Sequence, residues 1–134
     1  MKTSPKFVLL PLGLIALLMT TLAVHAEGED ETAWNTTLKQ KMFADRPIVE
    51  DQTVTITAPY RAEDPALVPL QITSQFPQTV EKYIKNITVV IDNNPVPFSA
   101  SFDFTPESGK ADIATRMRFN AYTHVRAIAE TNDG

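Results

Sequence analysis

The side chains in this sequence that could do chemistry are few, and most are carboxylates. Glu63-Asp64, Asp103, Glu107 and Asp112 stand in or beside turn-like segments. Two of them converging would make an acid–base pair, whereas taken singly they read as solvated turn residues. Asp92-Asn93-Asn94 resembles the start of a calcium loop but lacks the later glycine and glutamate, so it reads as a turn. Cysteine is absent, so the 134 residues hold no thiol nucleophile, thiolate metal site or disulfide. Ser99, Ser101 and Ser108 offer hydroxyls, but none sits in a glycine-flanked elbow. Outside the N-terminal leader described below there is one histidine, His124, and no metal-ligand spacing around it. The four glycines form no phosphate-cradling loop. The expectation is a protein without a metal, a cofactor or catalytic machinery. Arg116 and Arg118 share a strand face with Asp112. They and Trp34, the single tryptophan, are the side chains suited to docking a partner, set against a solvated face and a core role respectively.

The N-terminus explains where such a protein would work. Lys2 and Lys6 precede an apolar stretch from Phe7 to Val24, and Val24-His25-Ala26 ends it with small residues at the two positions a signal peptidase reads. That order predicts a cleaved secretory signal over Met1–Ala26, and His25 would leave with it. Pro11, Gly13, Thr20 and Thr21 make the stretch marginal as a membrane anchor. Losing Lys2 and Lys6 takes the net charge from −4 to −6. An acidic domain without a basic cluster is a poor ligand for nucleic acid or anionic lipid. Residues 27–134 then form one small domain that packing alone must stabilise.

The elements follow from periodicity. Trp34, Leu38 and Met42 recur every four residues with Phe43 beside them, which predicts a short helix closed by Pro47. Beyond it the period becomes two. Val54-Ile56-Ala58, Val68-Leu70-Ile72, Ile87-Val89-Ile91, Phe98-Ala100-Phe102-Phe104, Ala111-Ile113-Thr115-Met117 and Val125-Ala127-Ala129 each alternate with polar or smaller residues. Pro69 predicts an edge or bulged position for the second of these strands. Ile87 to Phe104 predicts a hairpin through the Asx turn. Six short strands without helical crossovers predict an all-β antiparallel sandwich with one N-terminal helix. Asp133-Gly134 is a hairpin turn signal, which predicts a further strand beyond Gly134 and, without that strand, an open sheet edge. Asn35-Thr36-Thr37 and Asn86-Ile87-Thr88 match the glycosylation pattern, a weak signal.

Four strings carry a family resemblance: Phe43-Ala44-Asp45-Arg46-Pro47-Ile48, Ala58 to Pro69 (APYRAEDPALVP), Val90 to Pro97 (VIDNNPVP) and Val125-Arg126-Ala127-Ile128-Ala129-Glu130. From about Trp34 to Gly134 the chain resembles the SoxY family, most of all the fused SoxYZ-like carriers associated with quinoprotein dehydrogenases. The resemblance implies an immunoglobulin-like β-sandwich in the periplasm and a carrier rather than an enzyme. It implies a partner, the SoxZ-like domain, which in fused carriers follows in the same chain, and periplasmic redox enzymes that act on the cargo. In the family a cysteine on a glycine-rich arm holds sulfur intermediates of thiosulfate oxidation. The chain departs from the pattern there, having neither the cysteine nor the arm. The expectation is a SoxY-like domain, over residues 27–134, whose last strand and arm are missing. The alternative is a non-catalytic immunoglobulin-like module that docks on a periplasmic redox enzyme and carries nothing.

Overall fold

The computed structural model describes residues 33–44 and 46–134. The leader Met1–Ala26 and the acidic stretch after it lie outside the described residues.

The helical segment opens with a π-turn, Trp34–Leu38, in which the Lys39 N–H donates to the Trp34 carbonyl. It continues as helix α1, Lys39–Phe43. Pro47 does not end it. Ala44 does, at φ 52°, with its N–H donating to the Gln40 carbonyl at 2.8 Å. A non-glycine residue in this region is strained, and the turn it makes sends the chain away before proline is reached.

Six strands follow: β1 Val54–Thr57, β2 Val68–Ser74, β3 Ile84–Ile91, β4 Phe98–Asp103, β5 Ile113–Met117 and β6 Val125–Thr131. They form two antiparallel three-stranded sheets, β1-β2-β5 and β4-β3-β6. The all-β, immunoglobulin-like sandwich expected from the alternation is present, as is the β3–β4 hairpin. Between the sheets lies a core of Leu70 and Ile72 from β2, Ile84, Ile87 and Val89 from β3, Ala111 just before β5 and Ile113 at its start. Burying each large aliphatic side chain of this kind contributes about 1.5–3 kcal/mol.

Two strands differ from their expected place. β2 is central, not an edge, although it contains Pro69. β1 pairs only with Gln71–Ser74, so Pro69 lies past its end and faces a partner, Arg116 of β5, on one flank alone. On the open flank a missing N–H costs no ladder bond. Phe98 does not continue the inward alternation of β4. The register shifts at Val89/Val90, leaving Phe98 opposite Val90 with Ser99 as the extra residue, and Phe98 is half exposed. A bulge re-aims the side chains on one side of it.

β3 reads as a nearly continuous apolar run because both its faces are covered. Ile87 and Val89 point into the sandwich, while Val90 lies under the helix with Trp34 and Phe43.

Candidate functional site

Three regions bear on function: the helix–sheet seam, the carboxylates, and the end of the sandwich where β5 passes into β6.

The seam forms on the outer face of β4-β3-β6. Val90 pairs with Arg126 and Thr88 with Ile128, so an apolar pair and an arginine face outward side by side. Trp34 and Phe43 pack edge to face at 6.2 Å over Val90 and Ile128. The Arg126 guanidinium lies over the Trp34 ring at 4.5 Å and binds Asp92 in a forked contact, Nη2 to Oδ2 at 2.8 Å and Nε to Oδ2 at 3.0 Å. The Asp92 side chain is fully buried and that of Arg126 is 14% exposed. A charge pair this deep holds only because geometry and hydrogen bonds repay desolvation. Asp92 stands in the turn that its sequence context suggests, closed by the Asn94 N–H donating to the Ile91 carbonyl at 3.1 Å, and it is also the seat of a buried ion pair. Trp34 is 4% exposed, and its ring faces are occupied by this packing. The tryptophan sits in a second, smaller core rather than on an open surface. Farther along, Glu130 bridges Arg46 at 2.9 Å and Lys85 at 3.0 Å. The Lys85 ammonium, and after it Arg46, hold the Glu130 carboxyl below the usual carboxylate range.

The carboxylates singled out in the sequence do not converge. Asp64 accepts from the Ala66 N–H at 2.8 Å within its own turn. Asp112 accepts from the Ser74 N–H at 2.9 Å, and Asp103 from Asn86 Nδ2 at 2.7 Å. Glu107 lies in a short 3₁₀ turn, Pro106–Ser108, where the Thr105 hydroxyl lowers its pKa. Glu63 and Asp64 stand at one end of the sandwich and the other three at the opposite end, so no acid–base pair is assembled. Among the described residues no three His, Cys, Asp or Glu side chains are grouped to hold a metal ion. Nor is any helix there long and apolar enough to cross a membrane. His124 is exposed just before β6, and its carbonyl accepts from the Asp92 N–H.

Arg116 and Arg118 are exposed at the end of β5, and among the described residues neither makes an ion pair. Asp112, on the same face, is engaged with Ser74 instead. Beside the arginines the edges of β4 and β5 part, leaving a shallow cleft of about 490 Å³ lined by Val96, Phe98, Phe102 and Met117 as well as Arg116 and Arg118. Two further features here escaped sequence reading. Tyr60 and Tyr122, from different loops, stack obliquely at 6.2 Å while 93% and 69% exposed. Arg61 Nε donates to the Tyr122 hydroxyl at 3.4 Å. Their only sequence signal is aromatic residues placed in polar turns.

The described residues thus form two packed sheets with a helix sealing one of them. No match is found among curated proteins. A family model described as "Sulfur oxidation protein SoxY" matches residues 39–134. The structure of the sulfur carrier protein SoxY from Chlorobium limicola f thiosulfatophilum is similar, with 27% identity and a TM-score of 0.54 over 76% of this chain and 81% of that one. The sandwich that the alternation predicts and the family match that spans it agree: this chain belongs to the SoxY family.

Proposed function

We propose that this chain is the β-sandwich scaffold of a sulfur-oxidation carrier that works in the periplasm and is not itself an enzyme. The observation that carries this reading is the family match across the whole sandwich, together with a similar structure whose protein is a sulfur carrier. A carrier needs a nucleophile, and thiolate is the one that takes up sulfur species readily. The 134 residues contain no cysteine, so the thiol that bears cargo lies outside them in this reading. Residues 27–134 supply the folded base, Met1–Ala26 the export signal, and a SoxZ-like domain the partner. The cargo is thiosulfate-type sulfur or the intermediate of a quinoprotein dehydrogenase system, handed to periplasmic redox enzymes.

The lack of cysteine also favours a second reading, an immunoglobulin-like module that docks on a redox enzyme and carries nothing. Isolating the natively made protein from its host and measuring its intact mass separates the two. The carrier reading expects a periplasmic product that begins at Glu27, travels with a SoxZ-like protein and gains sulfur-sized mass adducts, sensitive to reductant, when thiosulfate is supplied. A natural product with no thiol and no adduct leaves only the docking module.

A further inference from the structure

The β1–β2, β3–β4 and β5–β6 connections meet at one end of the sandwich, and that end differs in kind from the other. Among the described residues it carries five of the seven exposed large hydrophobic side chains, Tyr60, Leu67, Val96, Phe98 and Tyr122. Its cations outside ion pairs are all arginines, Arg61, Arg116 and Arg118; Glu63 and Asp64 stand at this end too, Asp64 holding the Ala66 N–H, but among the described residues no carboxylate lies within ion-pair distance of the three guanidiniums. The opposite end holds Asp103, Glu107, Asp112 and Asp133, and its cations outside ion pairs, Lys82, which lies over the Phe76 ring at 4.9 Å, and Lys110, are lysines. Tyrosine and arginine are enriched, and lysine depleted, at protein interfaces, because they bring large contact area and fixed donors at low entropic cost.

The end is also braced. Asn94 Nδ2 donates to the Arg118 carbonyl at 2.9 Å, and Asn94 Oδ1 accepts from the Asn120 N–H at 3.0 Å. The Asn93 N–H donates to Thr123 Oγ1 at 2.9 Å. The Phe119 N–H donates to the Pro65 carbonyl at 2.8 Å, which ties in the third loop. Loops cross-linked in this way present their aromatics already ordered, so a partner pays little to fix them.

We propose that this end is a protein-docking face, and that its partner is a protein presenting carboxylates around an apolar patch. The three unpaired guanidiniums call for those carboxylates, while the tyrosine pair and the Val96–Phe98 cleft call for the apolar centre. The inference rests on the carrier reading only in requiring a protein partner.

The test places a photo-cross-linker, p-benzoylphenylalanine, at Tyr60, at Tyr122 or at Val80 in the full-length protein in its host. Val80 is 76% exposed in the β2–β3 connection at the opposite end. Incorporation and folding are checked by mass and circular dichroism. The expected result is one protein cross-linked from both Tyr60 and Tyr122, through a peptide containing Asp or Glu. The yield there should be about tenfold above that at Val80, and the double change Arg61→Glu with Arg118→Glu should lower it about tenfold. Equal yields at the three positions, adducts only to a second copy or to lipid, no adduct, or indifference to the charge reversal would each overturn the proposal. A redox partner captured through Val80 alone would sink this face and leave the carrier reading standing. Absence of sulfur adducts in the mass measurement would do the reverse.

Discussion

The ion pair between Asp92 and Arg126 gives the sharpest test of the seam. Replacing Arg126 by Met keeps much of the aliphatic volume but removes the guanidinium. The Asp92 carboxylate, with no side-chain exposure, then loses its forked partner. Orphaning one member of a buried pair costs about 3–5 kcal/mol. Loss of the cation over Trp34 falls within the same change and adds to it in the same direction. For a domain of this size the sum lowers the midpoint of thermal unfolding on the order of 20 °C. The companion double variant, Asp92→Leu with Arg126→Met, removes both charges and should recover to within about 1–2 kcal/mol of the parent, because the single change is costly chiefly through the charge left behind. Urea unfolding of the parent, both single variants and the double completes the cycle. A single Arg126→Met cost below about 1 kcal/mol would refute the reasoning, since it would mean that water reaches Asp92 and that the helix does not seal the sheet. A double variant as unstable as the two singles added together would mean that the two charges are not coupled, and would refute the reasoning as well.

Two further outcomes follow from the same packing. Ile87→Ala, at a fully buried position between the sheets, should destabilise by about 2–5 kcal/mol in chemical denaturation, and Ile87→Val by only about 0.5–1.5 kcal/mol. Glu130, whose pKa is lowered by Lys85 and Arg46, contributes stability that is present above the unfolded carboxyl's pKa and lost as the pH falls through the lower folded one. The Glu130→Gln variant should therefore differ from the parent near neutral pH by less than about 1 kcal/mol, the pair being partly exposed, and the difference should vanish in acid; a gap that widens on acidification would contradict the assignment.

Much of the sandwich is legible because period-two alternation is a local signal. Within β1, β5 and β6 the residues that the alternation marks pack toward the core, Val54 and Ile56, Ile113 and Met117, and Val125, Ala127 and Ala129, although β1 stops short of Ala58, which is exposed; the Asx turn of the β3–β4 hairpin can be read from three consecutive residues. What stays hidden is fixed by pairing at a distance. Pro69 marks an edge locally, yet the shortness of β1 lets β2 be central. Phe98 belongs to the alternation of β4 by sequence, and only the bulge opposite Val89/Val90 turns it out. The four-residue spacing of Trp34, Leu38 and Met42 announces the helix but not its π-turn, nor that an arginine on the last strand would cap the tryptophan. Arg126 reads as an outward strand residue and Asp92 as a turn residue, and both are, but their ion pair shows only when β3 and β6 are set side by side. The same holds for Tyr60 and Tyr122, which belong to different loops and meet only when the sandwich closes. Arg116 and Arg118 could be placed on one exposed face from parity alone, whereas the burial of Trp34 could not.

The pairing order has a consequence for time as well as shape. The central strand of each sheet bonds a strand far along the chain, β2 with β5 and β3 with β6. Neither sheet can be completed until the last third of the sequence is available, and such non-local closures fold on roughly the millisecond-to-second scale. During synthesis the chain therefore remains unfolded until almost all of it has emerged. Under the export proposed above, that late closure suits passage through a channel that takes unfolded chains.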